Sequence, residues 1–155
     1  MYKGLCVVFL PLLSATYSAE ADNSTNTTKI DEVSEWYLKS YAPNWENPAL
    51  ENIPSIMKHY VSTYMFVPLS GDIQYQSNTH EHWEPWVQLN IDRGWHEGQV
   101  SIDIRMINTN TAHIDTHWVY RDSKGNDVTY CDHAIASKPE DRWVFVLFAE
   151  CTPHE

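Results

Sequence analysis

Positive charge is scarce in this chain: 10 Lys and Arg stand against 21 Asp and Glu in 155 residues, a formal charge of −11. The long-range field repels phosphate backbones and anionic lipid, so nucleic acid and membrane are not expected partners. Long apolar runs are scarce too. The nine-residue run Leu5–Leu13 is less than half of the roughly 20 residues a transmembrane helix needs. The sequence has 3 cysteines and no C-x-x-C pair, no glycine-rich phosphate loop and no G-x-S-x-G elbow. Thiol redox chemistry, nucleotide binding and acyl-serine chemistry therefore lack support, and no cofactor or metal is expected.

What is present is enough large apolar surface for one core: 43% apolar residues, with 7 Trp and 9 Tyr, in a length that suits a single domain. The N-terminus reads as an address. Lys3 precedes the Leu5–Leu13 run, and small residues lead to Ala19-Glu20-Ala21, an A-x-A cleavage pattern, with Ser18 as an alternative cleavage point. Residues 1–21 are thus expected to be a signal peptide, and the mature chain to be secreted. Cleavage after Ala21 leaves 134 residues, the same net charge, and Cys131 and Cys151 as the only cysteines. In an oxidising compartment the two can pair. Residues 22–29 form a polar leader with two sequons, at Asn23 and Asn26, that fit N-glycosylation.

The folded part is expected over residues 30–152. Ile30, Val33, Trp36-Tyr37 and Tyr41 recur at helical spacing up to Pro43, and a shorter helical stretch follows Pro48, either starting or kinking at Pro54. Val61–Leu69 and Ile73–Gln76 read as a hairpin. Ser77-Asn78-Thr79 can cap a third helix that Gly94 closes. Four long strands follow, at Gln99–Ile107, Ala112–Tyr120, Val128–Ser137 and Trp143–Cys151, joined by turn-forming residues. Helices first and a meander last imply an α+β layer fold with a curled sheet. In the last hairpin a turn near Glu140-Asp141 sets a register sum of about 280, close to the 282 of the two cysteines, so Cys131 and Cys151 are expected to face each other.

The stretch Thr111–Gly125, with its small residue at the strand start, Trp118 near the end and the Asp122-x-x-Gly125 turn, followed by Tyr130 and Asp141-Arg142-Trp143-Val144-Phe145, resembles the SnoaL-like proteins of the nuclear-transport-factor-2-like (NTF2-like) superfamily. The resemblance implies a curved antiparallel sheet wrapped around about three N-terminal helices, an apolar pocket, and a homodimer through the outer face of the sheet. That superfamily hosts dehydratases, isomerases, cyclases, hydrolases and members without chemistry, so function has to come from the site.

Alignment with the ketosteroid isomerase type places its tyrosine on Tyr37 and its oxyanion-holding aspartic acid on Asp132, while the position of its base falls on Val67. Valine cannot take a proton, which disfavours that isomerase reaction. Tyr37 and Asp132 remain the catalytic candidates, and the same alignment puts Met65, Val67 and Trp86 on the pocket wall. The plainer reading of Asp132 is a buried carboxylate satisfied by a neighbouring hydrogen bond.

His113, Asp115 and His117 share one face of a strand by the period of two. If the apolar face bearing Ile114, Trp118 and Tyr120 is concave, they lie outside; a register slip of one would bring them into the pocket. Zinc would need a further ligand. His80-Glu81-His82 with Glu84 reads as a helix surface rather than an H-E-x-x-H site. Two functions follow: a secreted domain that binds a small apolar molecule in an aromatic pocket, or a cofactor-free lyase, isomerase or hydrolase with Asp132 and Tyr37, or His117 with Asp115, as acid and base. Two titratable groups converging in the pocket favour turnover, and a lone acid favours binding.

Overall fold

The computed structural model describes residues 20–152, with side chains from Thr27 onward. Residues 1–19, most of the expected signal peptide, lie outside the described residues, as do the side chains of Asn23 and Asn26. Helix α1 (Glu20–Trp36) begins ten residues before the Ile30 start set by periodicity. Residues 22–29 contain neither Pro nor Gly, so nothing stops the helix from running back through them. A π-helical turn (Tyr37–Tyr41) follows, closed by Ala42 N–H donating to the Tyr37 carbonyl at 2.9 Å. It sends both Tyr37 and Tyr41 into the core.

The short helices α2 (Pro43–Glu46) and α3 (Ile53–Met57) come next. Pro54 sits in the first turn of α3, where its missing N–H would have no partner anyway. Strand β1 (Tyr60–Val67) pairs antiparallel with β2 (Gln74–Ser77), and α4 (His80–Asp92) is capped by Thr79 accepting from His82 N–H. The long strands are β3 (His96–Asn108), β4 (Thr111–Arg121), β5 (Asp127–Ser137) and β6 (Val144–Cys151).

One six-stranded sheet runs in the order β2-β1-β6-β5-β4-β3. An antiparallel sheet was expected; the β1–β6 pairing is parallel, so the sheet is mixed. The crossover through α4 and the β3–β6 meander returns the last strand beside the first in the same direction. Even-numbered residues of β4 (Ala112, Ile114, Thr116, Trp118, Tyr120) are all buried against the helices, so the apolar face is the concave one. His113, Asp115 and His117 lie on the convex face.

Glu32 ties α1 to the start of β6. It accepts from Lys29 Nζ at 2.9 Å, from Trp143 Nε1 at 3.1 Å, and from Lys138 Nζ. The Lys138 ammonium, seconded by Lys29, holds its carboxyl down at about 2. A depressed acid contributes stability above its ordinary range and loses it as pH falls toward 2. Because the side chain is one-third exposed, Glu32→Gln is expected to cost only about 1–2 kcal/mol at neutral pH and to flatten the acid limb of a urea-melt pH profile.

Gly98 on β3 is a close-approach glycine. A Cβ there would stand 2.5 Å from Tyr120 Cε1 and 3.1 Å from the Glu46 Cα. Gly98→Ala is expected to cost roughly 1–3 kcal/mol in urea denaturation and to displace the Tyr120 ring.

Candidate functional site

The concave face of the sheet, the π-helical turn and α4 enclose a cavity of about 280 Å³. Tyr41 comes from the turn, Tyr60, Tyr64 and Phe66 from β1, Trp83 and Trp86 from α4, Trp118 and Tyr120 from β4, Tyr130 and Asp132 from β5, and Phe148 and Glu150 from β6. Trp95, Tyr120 and Trp118 form a stack with ring centroids 4.9 and 5.4 Å apart and planes within 18°. Phe66 and Phe148, Cα partners across the parallel pair, stack at 6.2 Å. Arg93 lies 4.9 Å over the Trp95 ring at the rim. The result is a set of flat walls with polar groups at few points, the usual composition of a small-molecule site.

Asp132 is the deep polar group. Its side chain is on the concave side, 4% exposed. Burial pushes its carboxyl up to about 7, a hydrogen bond from Thr116 opposes the rise, and Asp115 adds to it. Near neutral pH the protonated form is therefore well populated, and a carboxylic acid can donate a hydrogen bond that a carboxylate cannot. Around it the hydroxyls of Tyr41 and Tyr60 bond each other at 2.9 Å. Burial holds the Tyr41, Tyr60, Tyr120 and Tyr130 phenols neutral, with the nearby Asp132 reinforcing the effect. Tyr64 hydroxyl and His82 Nε2 are 2.6 Å apart. Burial lowers the His82 imidazolium, so its neutral ring can accept the Tyr64 proton.

Of the residues aligned to the pocket, Asp132 and Trp86 stand on the wall. Met65 and Val67 do not. The concave positions of β1 are Tyr60, Tyr64 and Phe66, and the period of two turns Met65 and Val67 to the opposite face. Tyr37 is not on the wall either: it lies beneath it, 1% exposed.

Glu150 was missed from the sequence. It is the Cα partner of Asp132 across β5–β6, which puts the two Cβ atoms roughly 4.5–5.5 Å apart on one face. It sits half-buried at the cavity mouth and accepts from Leu69 N–H at 3.2 Å. Behind them, on the convex face, Cys131 and Cys151 are Cα partners joined by a disulfide, with Cα atoms 5.5 Å apart.

No family model and no curated protein matches the sequence. Solved structures do. A putative scytalone dehydratase from Novosphingobium aromaticivorans matches with a TM-score of 0.60 at 9% identity, over 85% of this chain and 89% of that one. An NTF-2 like protein of unknown function from Shewanella oneidensis matches at 0.54 and 18% identity, over 79% and 96%. A ketosteroid isomerase-like protein from Erwinia carotovora atroseptica matches at 0.50 and 9% identity, over 88% and 100%. The chain has the NTF2-like α+β fold, a curved six-stranded sheet closed over N-terminal helices.

Proposed function

We propose that this is a secreted domain that binds a small, flat, largely apolar molecule carrying one acceptor oxygen in its aromatic cavity. The observation that carries the reading is Asp132: a buried carboxyl, held up near neutrality, set among aromatic walls. Its acid form supplies one directed donor for a carbonyl or ether oxygen, and the stacked rings supply the area. The paired cysteines and the signal-like N-terminus support export. A homodimer through the convex face belongs to the same proposal, and light scattering after gel filtration reads it.

A second reading, cofactor-free acid–base turnover, is favoured by one observation. Asp132 and Glu150 are two titratable groups on one cavity wall, so a proton donor at depth and a carboxylate at the mouth share a site. Binding leads because Tyr37, the other half of the expected acid–base pair, is sealed off the wall.

The test is tryptophan-fluorescence titration with 1-acetylnaphthalene and with 1-ethylnaphthalene, which lacks the oxygen. The ketone is expected to bind more tightly, and its advantage to shrink as pH rises through about 7 and Asp132 loses its proton. Equal affinities with no pH dependence would remove Asp132 from the account. Conversion of a carbonyl substrate that Asp132→Asn and Glu150→Gln each abolish would move the conclusion to turnover.

A further inference from the structure

The convex face carries a cluster that the cavity does not use. His113 and Asp115 stand two residues apart on β4, and His133 is the Cα partner of Asp115 on β5. One ligand atom from each falls within 4.8 Å of the others. His113 Nε2 lies 3.4 Å from Asp115 Oδ1, and two ligands bound at about 2.0–2.1 Å to a tetrahedral ion stand roughly 3.3 Å apart. His133 Nδ1 hydrogen-bonds the same carboxylate oxygen. The two imidazoles stack with centroids 5.9 Å apart and planes 15° from parallel. In the single chain the three side chains are a quarter to a half exposed, so an ion reaches them from solvent wherever a second copy does not cover this part of the convex face. Asp103, the Cα partner of Asp115 on β3, adds negative charge beside them.

We propose that His113, Asp115 and His133 form a zinc(II) site on the convex face, with water in the fourth position. Two imidazoles and one carboxylate are a borderline-soft donor set that suits zinc better than calcium or magnesium, which take oxygen ligands. The further ligand that the pattern on β4 lacked is supplied by the neighbouring strand, whose His133 joins His113 and Asp115 where His117 does not. Zinc takes the place of the proton between His133 Nδ1 and Asp115: in the neutral ring that proton moves to Nε2 by exchange with solvent, in the imidazolium it is released, and zinc binds His113 through Nε2 with the ring proton on Nδ1. Arg105 opposes this. Its guanidinium approaches His113 Nδ1 at 3.3 Å, favouring the other tautomer and adding a like charge, and being exposed it has to swing away.

Zinc chloride is titrated into the metal-stripped full chain by calorimetry, with cobalt(II) substitution to read four-coordinate geometry from the visible spectrum. One ion per chain is expected. His113→Ala and His133→Ala should each weaken binding by roughly tenfold or more, and Asp115→Asn, which keeps the shape, should do the same. Arg105→Gln should tighten it, and His80→Ala, on α4, should leave it unchanged. A hydrogen-bonded cluster with no metal role predicts no stoichiometric zinc, and that result overturns the proposal. So does zinc binding that survives in His113→Ala and His133→Ala chains with unaltered urea midpoints.

Discussion

Replacing Asp132 by Asn is expected to make the protein more stable in mildly alkaline solution, by up to about 4 kcal/mol at pH 8 and above. Burial raises the Asp132 carboxyl from 3.8 to about 7 in the folded state. For an acid whose folded value is raised, the folded chain holds the proton that the unfolded chain has released. Its full contribution is present below about pH 4 and is lost progressively up to about pH 7. Asparagine has no proton to lose and keeps the shape. Urea melts of both proteins should coincide near pH 4 and diverge through this window, with other titrating groups cancelling in the difference. Parallel profiles would mean that Asp132 is not the desolvated acid the cavity needs. Because the asparagine amide still donates a hydrogen bond, the advantage of the ketone over the hydrocarbon should persist in this variant and lose its dependence on pH.

The second large effect is expected at Cys131–Cys151. The bond spans a sequence separation of 20, and removing it by Cys131→Ala with Cys151→Ala should cost roughly 3 kcal/mol through the unfolded chain. The consequence reaches the cavity, because the pair lies directly beside the Asp132–Glu150 pair in the β5–β6 ladder. Loosening that ladder should weaken ketone binding as well as lower the urea midpoint. An unchanged midpoint in the double variant would show that the bond adds nothing to the fold.

How much of this was legible in the sequence depended on whether each strand carried its own phase. On β4 the alternation of His113, Asp115 and His117 with Ile114, Thr116 and Trp118 marks both faces, and the structure follows it. β1 has no such marker. Tyr64-Met65-Phe66-Val67 is apolar throughout, so parity is undefined by pattern, and the alignment chose the wrong one. Register carries more than the disulfide. The sum that pairs Cys131 with Cys151 also pairs Asp132 with Glu150, so the missed carboxylate was already implied. The Asp122–Asn126 turn likewise sets His133 opposite Asp115. The burial of Tyr37 beneath the wall follows from the π-helical turn, and the parallel β1–β6 contact from closure of the whole sheet. Neither has a local signal.

The central claim, that the aromatic cavity exists to hold a small apolar molecule, is tested most directly by native mass spectrometry of the protein purified from its natural source. The account predicts one non-covalent adduct per chain, of a small molecule with an acceptor oxygen, that added 1-acetylnaphthalene displaces and that Asp132→Leu, which has no donor, retains poorly. A bare chain that also fails to take up 1-acetylnaphthalene would contradict it.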